Sequence, residues 1–164
     1  MEKKISKELV KRIKSDTIIN TVVAVGAFVV AILYLLRFIT TLISRNFESN
    51  DLQLYAENFV ETGCLTASLV ILSSILNGIC KTGKPFTANI VKKFKAMAAV
   101  LIAAVPLAML ISGITGFLDP TALGMKATFS YADILMLIFG VISGIIAEIF
   151  YYGTKLEEEM DMIA

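Results

Sequence analysis

The part of this 164-residue chain that most resembles a reaction centre is Gly78-Ile-Cys-Lys-Thr-Gly83-Lys84, which fills the first seven places of a phosphate-binding loop. The eighth place defeats it. Pro85 stands where a serine or threonine hydroxyl must reach magnesium, and proline lacks the N–H that such a loop turns toward phosphate. The element before it is an apolar helix, where the loop requires a strand. The chain has no histidine, which removes Ser-His-Asp, Cys-His and HExxH chemistry together. Ser73 and Ser74 have no base nearby in sequence. Intramembrane aspartyl catalysis needs a pair of embedded aspartates, and only Asp133 lies beside an apolar stretch, at its edge. The expectation is a protein that is not an enzyme, with no catalytic residue, metal site or cofactor.

Glu148 is the ionisable residue with most to say. It follows Gly140 by eight residues and Gly144 by four, a spacing that predicts it continues the small-residue face into the bundle interior. A carboxylate there must be paired, neutralised or wet. Its candidate partners are Lys81, Lys84 and the lysines at 92, 93 and 95, and the other reading is a proton- or ligand-linked role. Gly140 and Gly144 form a GxxxG pair, which lets helix backbones approach closely. Packing within one bundle is the first expectation from it, and a homodimer the second. Cys64 and Cys80 are separated by sixteen residues of one helix, about 24 Å, so they cannot bridge each other. They read as small packing residues.

These residues are carried by apolar stretches at 18–36, 63–80, 96–117 and 132–150. Each runs for about 18–22 residues, enough helix to cross a hydrocarbon core of about 30 Å. Apolar residues make up 57% of the chain and its mean hydropathy is +0.78, beyond what one soluble core requires. The predicted fold is an all-α integral membrane four-helix bundle forming a single domain over residues 1–164. The net charge of +1 points to no direct nucleic-acid partner. Lys and Arg number six before the first stretch, five in the second connector and one in the tail, against three in the other two connectors. Twelve against three predicts both termini in the cytoplasm of a bacterial inner membrane, with lipid as the first partner. The first stretch is too long for a cleavable leader, so an uncleaved anchor is expected.

Ile5, Leu9 and Ile13 recur every fourth residue among lysines, which predicts an N-terminal interfacial amphipathic helix. Beyond Arg37 the helical period continues through Phe38, Ile39, Leu42 and Ile43. Ser49-Asn50-Asp51 then offers N-cap chemistry for a second helical stretch carrying Leu52, Tyr55 and Phe59. The reading is a helical hairpin on the outer face that bears Glu48, Asp51, Glu57 and Glu61. Gly83 and Pro85 break the helix on the inner side. Pro106 is expected to kink the third helix, with the carbonyl it frees satisfied by Ser112, by Thr115 or by water. Asp119-Pro120 marks an outer turn. No internal repeat is apparent, so an inverted-repeat transporter is not supported.

The chain ends Ala147-Glu-Ile-Phe-Tyr-Tyr-Gly153-Thr-Lys-Leu156-Glu-Glu-Glu-Met-Asp161-Met-Ile163-Ala, and its inner connector reads Gly83-Lys84-Pro85-Phe86-Thr87 followed by Asn89. Both motifs resemble the family of small bacterial membrane proteins catalogued as domain of unknown function 2975. The resemblance implies four membrane helices and marks Pro85, Phe86, Thr87, Asn89, Glu148, Gly153, Leu156, Glu158 and Asp161 as pattern positions. It implies no established activity. The encoding of members beside a helix-turn-helix regulator points to a cytosolic protein partner.

The acidic run 157–161 follows the fourth helix, where the macrodipole and anionic lipid both disfavour negative charge. Lysines 92, 93 and 95, or a basic cytosolic protein, are its expected holders. The functional expectation is a regulatory or sensory interaction protein; the alternative is a small transporter or an immunity-type protein against a membrane-active peptide.

Overall fold

The computed structural model describes residues 2–44, 51–83, 86–118 and 130–163. They form four helices, α1 (Glu2–Ser44), α2 (Asp51–Thr82), α3 (Ala88–Leu118) and α4 (Tyr131–Ile163), with no strand among the described residues. Each helix is long and apolar enough to cross a membrane, and the protein is an all-α, multi-pass membrane protein.

α1 runs for 43 residues, about 64 Å at the α-helical rise. Nothing between Glu2 and Ser44 stops it, since it holds no proline and Gly26 is tolerated inside a helix. The basic lead, expected as a separate interfacial helix, is therefore the first turns of α1 itself. Its turns around Val10 already pack on α2, because the Cys80 thiol donates weakly to the Val10 carbonyl at 3.9 Å. Further along, Asn20 donates from Nδ2 to the Leu69 carbonyl at 2.8 Å and to Ser73 Oγ at 2.7 Å. Ser73 is thus a tether between α1 and α2. Such bonds hold membrane helices together where lipid is as apolar as the side chains. Both cysteines are free and half-buried.

α1 reaches Ser44 and α2 begins at Asp51, so both arms of the expected hairpin are helical. Glu48, Ser49 and Asn50 lie outside the described residues. At the other end, Gly83 closes α2 in the left-handed region at φ 67°, and its N–H bonds the Ile79 carbonyl at 2.9 Å. Glycine adopts that conformation without steric cost. Thr87 then opens α3, accepting the Ile90 N–H on Oγ1 at 3.4 Å and the Val91 N–H on its carbonyl at 3.1 Å. Lys84 and Pro85 lie outside the described residues.

The main packing runs α1 on α2, α2 on α3 and α3 on α4. Ile75, Ile90, Phe94, Met97, Leu101 and Ala147 form one core cluster, and Ala104, Val105 and Met136 form a second. Gly140 lies close against α3. A Cβ there would stand 2.7 Å from Ile102 Cγ1 and 3.3 Å from the Ile102 backbone nitrogen, while one at Gly144 would meet Ala98 Cβ at 3.9 Å. The GxxxG pair is therefore spent inside the molecule, on α3. Pro106 sits within continuous α3. Ser112 and Thr115 do not serve the carbonyl it frees: Thr115 Oγ1 donates to the Ile111 and Ser112 carbonyls, and the Ser112 hydroxyl faces Glu57.

Candidate functional site

The end of the bundle that carries the start of α2, the close of α3 and the start of α4, here the hairpin end, holds a buried polar layer. Glu57 and Glu61 lie one turn apart on α2, and Asp133 lies in the first turn of α4. Their carboxylate oxygens fall within 4.8 Å of one another. Asp133 is 1% exposed and Glu61 6%, while Glu57 is half-buried.

Asp133 owes its position to the helix start. Its Oδ2 accepts the Ser130 N–H at 2.8 Å, and Ser130 Oγ accepts the Ala132 N–H at 3.2 Å. This reciprocal arrangement satisfies N–H groups that a helix start leaves open. The second oxygen, Asp133 Oδ1, is buried with no hydrogen-bond partner among the described residues, and so is Glu61 Oε1. From α3, the Ser112 hydroxyl donates to Glu57 Oε2 across a long 3.5 Å. Gln53 Nε2 donates to the Ser112 carbonyl at 2.9 Å. It lies over Gly116, where a Cβ would come within 3.0 Å of it.

Such a layer is expensive to assemble. Carboxylates four apart on a helix repel, and buried oxygens without donors carry a desolvation cost of about 1–3 kcal/mol or more each. Among the described residues no lysine or arginine forms an ion pair with any of the three. The arrangement gathers negative charge that protons or a cation must balance. Sequence reasoning placed Glu57 and Glu61 on an outer-face hairpin and Asp133 at the edge of an apolar stretch, and missed their convergence. No signal within a single helix announced it, since Glu61 and Asp133 stand on elements separated by the whole of α3.

The opposite end, with the α2–α3 connector and the close of α4, is the connector end. Here two residues marked by the resemblance meet: the Phe86 ring covers Gly153, and a Cβ at Gly153 would stand 2.6 Å from Phe86 Cδ1. Phe86 and Phe94 each lie 5.2 Å from Phe150 between ring centroids, in tilted geometry, the arrangement aromatic pairs favour. Phe94 and Phe150 were not singled out from sequence. Thr87 contributes the cap described above, and Asn89 is exposed.

Glu148 does not turn inward. It is half-exposed and pairs with Lys95 at 3.5 Å, and the buried position is the preceding Ala147, at 0%. Lys93 is committed to Ser74, through Oγ at 2.8 Å and the carbonyl at 3.4 Å. Lys93 and Lys95 are thus turned to other partners than the acidic run they were expected to hold. Around and beyond Gly153, α4 exposes Tyr152, Leu156 and Met160 along one face, with Glu158 and Glu159 exposed beside them. The Asp161 side chain lies outside the described residues.

Between the two ends, α2, α3 and α4 enclose an open cavity of about 450 Å³ lined mostly by apolar groups, among them Leu65, Leu72, Met97, Leu101, Met136 and Phe139. No curated protein and no solved structure matches the chain. The family model described as protein of unknown function (DUF2975) matches residues 59–163, taking in Glu61, Asp133, Phe86 and Gly153, and the chain belongs to that family.

Proposed function

We propose that the protein is a non-enzymatic sensor of the bacterial inner membrane, with both termini in the cytoplasm. In this reading the carboxylate layer at the hairpin end takes the signal, and the connector end passes it to a cytosolic protein. The observation that carries it is the continuity of α4. One unbroken helix bears Asp133 in its first turn and the exposed Tyr152–Leu156–Met160 face near its close. A charge change around Asp133 that shifts α4 must move that face too, because an uninterrupted helix transmits displacement along its axis. An acidic run beside an apolar stripe suits a basic, partly apolar partner surface, and a helix-turn-helix regulator is a partner of that kind.

Transport is less well supported. A solute path needs polar lining across the membrane, and the space below the carboxylate layer is the apolar cavity beside Leu65, Leu72, Met136 and Phe139. The test is a photocrosslinking residue at position 160 in living cells. The expected result is one defined cytosolic adduct, lost with Leu156→Glu and changed in yield by Glu61→Gln. Absence of any cytosolic adduct, or external labelling of a cysteine introduced at Met162, would overturn the reading.

A further inference from the structure

We propose that Glu57, Glu61 and Asp133 form a binding site for a hard divalent cation, of the class of Ca²⁺, Mg²⁺ or Mn²⁺. The proposal rests on the sensory reading only for its physiological meaning, since binding itself is a property of the three carboxylates.

Three oxygens from three side chains lie within 4.8 Å of one another. A hard divalent ion holds its oxygen ligands at about 2.0–2.6 Å, so ligands on opposite sides of one ion are about 4–5 Å apart. The observed spread therefore matches a single coordination sphere. The second observation is independent of the spacing. Asp133 Oδ1 and Glu61 Oε1 belong to side chains 1% and 6% exposed, and neither has a hydrogen-bond partner among the described residues. Helix-start geometry accounts for Asp133 Oδ2, which receives the Ser130 N–H, and leaves the buried Oδ1 without a donor. A structural capping role therefore explains one oxygen of Asp133 and not the other.

The donor set decides the kind of ion. It consists of carboxylates, with the Ser112 hydroxyl on the same side as Glu57 Oε2. The chain has no histidine, and all-oxygen sets favour magnesium, calcium and manganese over zinc or copper. Three carboxylates supply fewer oxygens than the six or more a hard divalent cation takes, which leaves positions for water. The two helices that carry the ligands, α2 and α4, are not adjacent in the main packing order. An ion there would tie them together directly, which gives the site a lever on α4.

The experiment uses the full chain in a neutral detergent, stripped with a chelator and titrated separately with calcium, magnesium and manganese chlorides. The readouts are thermal unfolding and, for manganese, the loss of the free-ion paramagnetic signal. The expected result is one ion per chain and an upward shift in Tm on the order of 5 °C at a hundredfold excess over Kd. Glu61→Gln should abolish the shift. Glu57→Gln, at a half-buried position that folding tolerates more readily, should weaken manganese binding at least tenfold. A chain that unfolds at the same temperature with and without each ion and takes up no manganese would overturn the site. So would equal binding by Glu57→Gln and wild type. Neither result touches the crosslinking outcome at position 160, so loss of the site and loss of the partner are read separately.

Discussion

The two ends of the bundle join the same three helices in opposite ways. At the connector end, α2, α3 and α4 are held by shape: Phe86 on Gly153, Phe150 between Phe86 and Phe94, and Ile75 and Ala147 beneath. At the hairpin end they meet through Glu57, Glu61 and Asp133, three carboxyl groups with two buried oxygens left without donors. Lipid offers little hydrophobic drive for helix association, so close packing must supply the cohesion, and the connector end has it. The hairpin end works against cohesion unless its charge is balanced. A bundle built this way is fixed at one end and adjustable at the other.

That contrast breaks most readily at the aromatic joint. Phe94 is 8% exposed in the core cluster and packs in tilted geometry on Phe150, so Phe94→Ala should cost about 3–5 kcal/mol and lower Tm further than any change at Gly153, Glu61 or Glu148. Next comes Gly153→Val. Its Cβ would fall 2.6–3.1 Å from three atoms of the Phe86 ring, and overpacking of this kind costs about 1–3 kcal/mol. Phe86→Ala in the same molecule should recover part of the loss. No recovery in the double variant would show that Gly153 matters for something other than the ring.

The hairpin end should respond with the opposite sign. In chelator-treated detergent Glu61→Gln should raise stability by on the order of 1 kcal/mol, because it removes a like charge and supplies a donor to the layer. A fall of the size seen for Phe94→Ala would mean that Glu61 is an ordinary structural acid, and the contrast between the ends would fail. The smallest effect is expected at Glu148. Its ion pair with Lys95 is about half exposed, and exposed pairs contribute about 0–1 kcal/mol. Glu148→Gln should leave Tm within a degree or two of wild type, as thermal unfolding of the purified variant will check.

Helix number, the glycine close of α2 and the close approach at Gly140 were all legible, because each depends on local composition or on spacing along a single helix. The error at Glu148 is one of register. Eight residues at 100° each carry a side chain about 80° past Gly140, whereas seven return it to within about 20°. The interior position is therefore Ala147. The carboxylate layer was illegible for a different reason. Glu61 and Asp133 are separated by the whole of α3, and nothing local in either helix states that the other acid will face it. The same holds for Phe86 and Gly153, which the family resemblance marked separately without indicating that they touch.

The order of packing has a consequence for biosynthesis. Since α1 packs on α2, α2 on α3 and α3 on α4, each helix leaving the ribosome finds its main neighbour already in the membrane. Assembly therefore keeps pace with translation and needs no search among distant segments. α4 is the exception in what it completes, for its arrival brings Asp133 to the acids of α2 and Gly153 to Phe86 in one event. A nascent chain stalled before residue 131 would hold three docked helices with neither the acidic layer nor the aromatic joint closed.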